Sequence, residues 1–260
     1  MKSFFTLFQQ DIKRAVISPL FLFSLLGMLA VLYTAGYPHI FMWYAELSDV
    51  NYILESSMFS TGTDTMLIQF LPLLPYATVW VKEYNENASS FWIIRTGVSK
   101  YVVSKYLAVL LSGMLAFILG ILLFILPLSF HFPLYNEATI GGGDTYEIFL
   151  HNGQPFLYFL FFLLHYGLSA ALFAGTCMWV STLIPNRFAA FAGPAVLYLL
   201  LLRVTETLPP YLQAGMLLDA AYSTGNPITT LLFKAAWTVG LCLLMGAASV
   251  SMAKRRVQNG

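Results

Sequence analysis

The side chains that could perform chemistry in this sequence are scattered along it. Four histidines occur, and none follows the His-Glu-x-x-His spacing of a zinc site (His39, His131, His151 and His165). No Gly-x-Ser-x-Gly sequence marks a serine nucleophile. The glycine-rich run 141–144 ends in Asp144 and lacks the Lys-Ser/Thr that completes a phosphate loop. These residues predict neither an enzyme, nor a metal site, nor ATP hydrolysis by this chain.

Four ionisable residues lie in or beside apolar segments, where a charge is expensive and therefore a functional candidate: His165, Arg203, Glu206 and Lys234. His165 could relay protons or pack as a hydrogen-bonded side chain. Arg203 and Glu206 are three residues apart, so they could pair on one helix face. Lys234 could contact a substrate, or its ammonium group could extend to the membrane surface. For each of these residues the sequence leaves open both a structural role and a functional one.

The composition predicts the solvent that surrounds these residues. Hydrophobic residues make up 58% of the 260-residue chain and charged residues only 10%. Soluble proteins carry about 25% charged residues. With 13 basic and 12 acidic side chains, the chain is neither a soluble enzyme nor a disordered protein, nor the strongly basic kind of domain that binds nucleic acid. Cys177 and Cys242 both lie in apolar runs, which predicts no disulfide framework. The lipid bilayer is the solvent that fits.

A helix needs about 20 mostly apolar residues to cross a bilayer. Six such runs predict an all-α, polytopic membrane protein with six transmembrane helices in a single domain, residues 1–260. The spans are Ile17–Tyr37, Asp64–Val81, Lys105–Phe130, Phe156–Leu183, Phe188–Thr205 and Thr230–Met252. The second span is short and contains Pro72 and Pro75.

Basic residues predict the direction of these spans. Residues 38–63, 131–155 and 206–229 contain no Lys or Arg, whereas the termini and the two other loops are basic. Because basic loops remain in the cytoplasm, both termini are predicted to be cytoplasmic.

Three further segments are neither spans nor ordinary loops. Residues 2–15 are amphipathic and predict an interfacial helix before the Ser18-Pro19 turn, although the first span could simply begin earlier. Residues 208–229 are too apolar for a loop, which predicts a short re-entrant or interfacial helix.

The third segment is the cytoplasmic connection of residues 82–104, whose middle predicts a short amphipathic helix that presents Phe91, Trp92 and Ile94 beside charged residues. Gly97 would end this helix, because glycine accepts a positive φ. Ser99 would cap the next span.

Small residues recur at every fourth position in two spans: Ser112, Ala116 and Gly120 in the third, and Gly167, Ala171 and Gly175 in the fourth. Such stripes let helix backbones approach closely. They predict packing faces, either within this chain or between subunits.

The order of these parts resembles the membrane subunit of an ABC-2-type (type V) ABC transporter. The resemblance is carried by an amphipathic helix before six spans, an apolar external segment before the last span, and the stretch from residue 83 to 105. That stretch places a glutamate, a short helix, a basic residue, a Thr-Gly turn and a lysine in the family's order: Glu83, Arg95, Thr96-Gly97, Ser99-Lys100 and Lys105. The external segments lack the cysteines and the large domain of some relatives.

The resemblance implies a bacterial plasma-membrane permease whose elbow helix is 2–15, whose coupling helix is 83–97 and whose external re-entrant segment is 208–229. It implies coupling to a cytoplasmic ATPase dimer through Glu83, Phe91, Trp92, Arg95 and Gly97. ATP and Mg would be bound by that partner, with no cofactor on this chain. A second permease copy or a related permease would complete the pathway. The cargo would be an amphipathic peptide, a lipid-like molecule or an antibiotic, moved outward.

Two other functions fit the same composition. A membrane immunity protein would sequester a peptide without transport and would have no ATPase partner. A proton-coupled carrier would need a charged relay within the bundle, for which only His165 is a candidate. An intramembrane enzyme is disfavoured, because the sequence offers neither a nucleophile nor a metal-ligand set.

Overall fold

The computed structural model describes residues 4–42, 48–59, 67–86, 88–137, 145–218 and 222–259. Their regular elements are all helical. The α-helices are α1 (Phe4–Val16), α2 (Pro19–Phe41), α3 (Val50–Phe59), α4 (Val79–Asn85), α5 (Ala88–Thr96), α6 (Val98–Leu128), α7 (Ile148–His151), α8 (Pro155–Leu183), α9 (Arg187–Thr205), α10 (Ala214–Leu218) and α11 (Pro227–Asn259). Leu71–Leu73 and Pro210–Leu212 form 3-10 helices. The glycine-rich run 141–144 lies outside the described residues.

Five of the described helices are long and apolar enough to cross a membrane: α2, α6, α8, α9 and α11. They correspond to five of the six predicted spans. The remaining predicted span, Asp64–Val81, is described from residue 67 and is not a continuous helix. Its backbone passes through the 3-10 helix and then turns from residue 74 to 78 before α4 begins. Pro72 and Pro75 explain the interruption, because proline has no backbone N–H to donate within a helix.

The described part of the predicted 2–15 helix forms a separate helix, α1. It ends before Ser18, whose side chain caps α2 by accepting a hydrogen bond from the N–H of Phe21 at 3.1 Å. Pro19 occupies the first turn of α2, where its missing N–H costs nothing. The face that α1 buries consists of Leu7, Asp11 and Ala15. Phe5 of the same helix is 76% exposed.

Helices α6 and α8 form the centre of the bundle, and small residues set how closely they approach. A Cβ added at Gly113 of α6 would lie 2.8 Å from the Cβ of Ala174 of α8. A Cβ at Gly167 of α8 would lie 3.3 Å from Met114. Gly120 similarly faces Met28 of α2. The glycines of the two predicted stripes therefore pack within this chain.

Helices α9 and α11 lie on the periphery of the bundle. Both pack along α8, but they make little contact with each other. Short α10 connects them and contacts α9. A groove with α8 as its floor consequently separates α9 from α11.

Candidate functional site

A buried ionic cluster joins three segments that are distant in sequence. The ammonium group of Lys105, near the start of α6, lies 2.9 Å from a carboxylate oxygen of Asp11 in α1. It lies 2.9 Å from a carboxylate oxygen of Glu83 in α4 as well. Only 2% of the Lys105 and Asp11 side chains and 12% of the Glu83 side chain are exposed. One lysine thus fastens both α1 and α4 to α6.

Hydroxyl groups donate further hydrogen bonds to the two carboxylates. The hydroxyl of Tyr76 donates to Asp11 at 2.8 Å, and that of Ser104 donates to the other oxygen of Asp11 at 2.6 Å. The hydroxyl of Tyr101 donates to Glu83. The Lys105 ammonium also lies 5.2 Å from the ring centre of Tyr101 and 5.3 Å from that of Tyr76. Because buried charges are stable only when paired and hydrogen-bonded, the cluster is a rigid junction.

Helix α5 follows this junction in the chain, and its apolar side chains face two ways: one contacts α1 and two are exposed. The guanidinium of Arg14 in α1 lies 5.3 Å from the ring centre of Trp92, so Trp92 ties α5 to α1. Phe91 is 70% exposed and Ile94 is 84% exposed. Arg95 is exposed as well. Trp92 therefore anchors α5, while Phe91 and Ile94 form an accessible apolar pair.

A single residue, Gly97, separates α5 from α6. Its φ of +81° is a conformation that L side chains rarely adopt, and its N–H donates to the carbonyl of Ile93 at 2.8 Å. The predicted end of the short helix is confirmed. The prediction that Ser99 caps α6 is wrong, because Gly97 occupies the N-cap position and Ser99 already lies inside the helix. Because Gly97 is the only residue between α5 and α6, helix α6 begins at Val98 and Ser99 does not stand at its boundary.

Arg256, near the end of α11, connects helices at the end of the bundle that contains α4. Its Nε donates to the carbonyl of Thr182 at 3.0 Å, and its Nη2 donates to that of Leu183 at 2.5 Å. A cation there also complements the dipole at the end of α8. The guanidinium lies 5.6 Å from the ring centre of Tyr84 in α4. Arg256 therefore links α11, α8 and α4.

The four ionisable candidates of the apolar segments have separate partners. The Nδ1 of His165 lies 2.9 Å from the hydroxyl of Tyr146, in a buried pair. Arg203 and Glu206 pair at 3.6 Å with side chains 85% and 68% exposed. Such an exposed pair contributes little to stability. Among the described residues, no group of three or more His, Cys, Asp or Glu side chains could hold a metal ion.

Lys234 is only 3% exposed, and its ammonium donates to the carbonyl of Leu217 in α10. The hydroxyl of Ser169, halfway along α8, donates to the carbonyl of Leu218 at 3.1 Å. The described part of the predicted 208–229 segment thus reaches the middle of α8. Lys234 holds that segment in place.

The chain matches no protein-family model, no curated protein and no solved structure.

Proposed function

We propose that this chain is the permease subunit of an ATP-driven ABC exporter of the ABC-2 type, in a bacterial plasma membrane. In this proposal six spans cross the membrane with both termini in the cytoplasm. The observation that carries the proposal is the construction of α5, a short helix that exposes Phe91 and Ile94 and is anchored to a buried junction. A permease without a phosphate loop needs such an element to receive work from a separate ATPase.

The junction explains how displacement of α5 would reach the spans. Glu83 precedes α5 and is bound to Lys105, while Gly97 connects α5 directly to α6. Leaving one charge of a buried ion pair without its partner costs about 3–5 kcal/mol. The junction would therefore move as a unit. In the proposed cycle, ATP and Mg bound by an ATPase dimer change the position of α5, and α6 and α1 follow.

The proposal gives each sequence-predicted coupling residue a distinct part. Phe91 and Ile94 would insert into the partner, with Arg95 beside them. Trp92 would hold α5 against α1, and Glu83 would hold its base. Gly97 would permit the tight connection to α6.

A second permease copy or a related permease would supply the other half of the pathway. The cargo class remains that of the resemblance, namely an amphipathic peptide, a lipid-like molecule or an antibiotic moved outward. The segment around α10 would close the outer end of the pathway, since it is fastened by Lys234 and Ser169.

A binding experiment tests the role of α5. The tagged full-length chain is isolated in mild detergent from its native cell, as wild type, as a Phe91→Ala/Ile94→Ala variant and as Phe188→Ala. Phe188 is 82% exposed at the start of α9 and is the matched control. We expect an ATPase subunit with the wild type and the control, and its loss from the double variant. Equal recovery with all three chains would refute the assignment of α5.

A further inference from the structure

The buried cluster decides which charges remain at the surface around α5. Asp11 and Glu83 are withdrawn into it together with Lys105. Among the described residues of α1 and of the range 82–105, this leaves Glu86 as the only acidic side chain that is exposed. Basic side chains of the same ranges remain exposed, namely Lys13, Arg14, Lys82, Arg95 and Lys100. The surface around α5 is therefore basic, although the segments that form it carry acidic residues as well.

The exposed apolar pair of α5 lies within this basic surface. Arg95 directly follows Ile94 and is four residues after Phe91, so it shares a helix face with Phe91. Arg14 lies beside the same helix, 5.3 Å from the centre of an aromatic ring in it. Lys100 lies in the first turn of α6. An apolar pair bordered by cations is complementary to a surface that has an apolar centre and an acidic rim.

The length of α6 places α5 outside the lipid headgroups in the proposed orientation. The predicted span begins at Lys105, whereas α6 begins at Val98. At 1.5 Å per residue, the helical residues before Lys105 extend about 10 Å beyond the hydrocarbon core. The headgroup region on each side of that core is only about 5–8 Å thick. Helix α5 therefore faces the aqueous phase, where the partner that reaches it is a protein rather than the membrane surface.

We infer that α5 and the basic surface around it bind an acidic groove of the partner ATPase. Phe91 and Ile94 occupy the apolar centre of that groove, and carboxylates on its rim face Arg95 and the other exposed cations. The buried cluster contributes to this contact, because it removes the carboxylates of Asp11 and Glu83, which would repel an acidic partner. The inference rests on the proposed function and names the chemistry of the partner's surface.

Retention of the ATPase as the salt concentration rises tests this charge complementarity. The tagged full-length chain is isolated in a non-ionic detergent as wild type, Arg95→Glu, Arg95→Lys and Arg203→Glu. Arg203 is the matched control, because its side chain is 85% exposed at the far end of α9. We expect wild type, Arg95→Lys and the control to retain the ATPase at about 0.05 M salt and to lose it gradually toward about 0.5 M. Arg95→Glu should weaken binding about 10-fold at low salt, because it places like charges across the interface.

A thiol at position 94 measures the surface without any ATPase. Cys177 and Cys242 are buried, so Ile94→Cys gives the folded chain a single accessible thiol. Its reaction rates with an anionic and a cationic methanethiosulfonate are compared with those of 2-mercaptoethanol, a neutral thiol. We expect the anionic-to-cationic rate ratio to be about 7-fold higher on the protein, which corresponds to a surface potential of about 1 kT per unit charge. Adding Arg95→Glu should lower this ratio.

The results that would overturn the inference differ from those that would overturn the proposed function. Equal retention of the ATPase by wild type and Arg95→Glu at every salt concentration would refute the acidic groove and leave the proposed function intact. Absence of the ATPase from every chain would refute both. A rate ratio equal to that of 2-mercaptoethanol would show that the surface is not basic. Protection of the Ile94→Cys thiol in phosphatidylglycerol vesicles, but not in phosphatidylcholine vesicles, would assign the surface to the anionic membrane instead.

Discussion

Replacing Lys105 by methionine should destabilise the fold more than any other single loss of charge in the described structure. Lys105 is the only cation within 4.0 Å of either Asp11 or Glu83 among the described residues. Methionine is unbranched and apolar, so it can fill similar space without the ammonium group. The variant therefore leaves two formally negative side chains facing each other in a buried site.

The structure sets the size of the expected effect. Removing one partner of a buried ion pair costs about 3–5 kcal/mol, because the remaining charge is uncompensated. The 2% exposure of the Asp11 side chain gives water little access to replace the lost partner. For a chain of this length each kcal/mol corresponds to about 2–4 °C in Tm. Lys105→Met should accordingly lower Tm by about 6–20 °C.

The two free cysteines provide the assay. Cys177 and Cys242 are both buried, so a thiol-reactive fluorophore labels them as the chain unfolds. Lys100→Met is the matched control, because Lys100 lies five residues earlier in α6 and is exposed. The control should change the free energy of unfolding by no more than about 0.5 kcal/mol. If Lys105→Met unfolds at the same temperature as Lys100→Met, the buried cluster does not hold α1 and α4 to α6.

Three more substitutions can be measured with the same thermal assay. Gly97→Ala should lower the free energy of unfolding by about 1–3 kcal/mol, because Gly97 has a positive φ. Gly240→Ala is the control: Gly240 lies in open space within α11, so alanine there should leave the free energy of unfolding unchanged or raise it. Equal effects of the two substitutions would contradict the φ argument. Gly113→Ala should cost about 1–3 kcal/mol because its Cβ would meet that of Ala174, and an unchanged Tm would mean that α6 and α8 pack less closely. Arg256→Ala should lower the free energy of unfolding by about 1–2 kcal/mol, because it removes two hydrogen bonds to the end of α8. Arg255→Ala is the control, since Arg255 is exposed, and it should leave the free energy of unfolding unchanged. Identical Tm values for the two variants would argue against this cap.

Local physics was sufficient to predict much of the fold. Hydropathy and length identified the five long apolar helices that the structure contains. The turn at Ser18-Pro19, which separates α1 from α2, was also predictable from the sequence. The end of α5 at Gly97 was predictable because glycine adopts a positive φ without the steric cost that a side chain brings. The pairing of Arg203 with Glu206 followed from their spacing of three residues along a helix.

The buried cluster was not predictable in the same way, because its partners are distant in sequence. Asp11 is 94 residues from Lys105, and no local periodicity relates the two. One signal was available, since Leu7, Asp11 and Ala15 recur every four residues and therefore share a helix face. An acidic residue between two apolar ones on that face indicates a buried partner.

The backbone around Pro72 was harder to predict for a different reason. Two prolines remove helical hydrogen bonds, but the sequence does not say which neighbouring groups then accept or donate. In the structure the carbonyl of Leu71 accepts a hydrogen bond from the Ser24 hydroxyl of α2 at 2.9 Å. Tertiary contacts of this kind decide whether such a segment continues as a helix or turns.

In the proposed function a separate ATPase drives this chain. The most direct measurement is ATP hydrolysis by the complex that co-purifies with the tagged full-length chain from its native cell in mild detergent. We expect a co-purified subunit with a phosphate loop and hydrolysis that vanadate inhibits. A correctly folded chain that co-purifies with no ATPase would refute the proposed function and favour a protein that sequesters a peptide without transport.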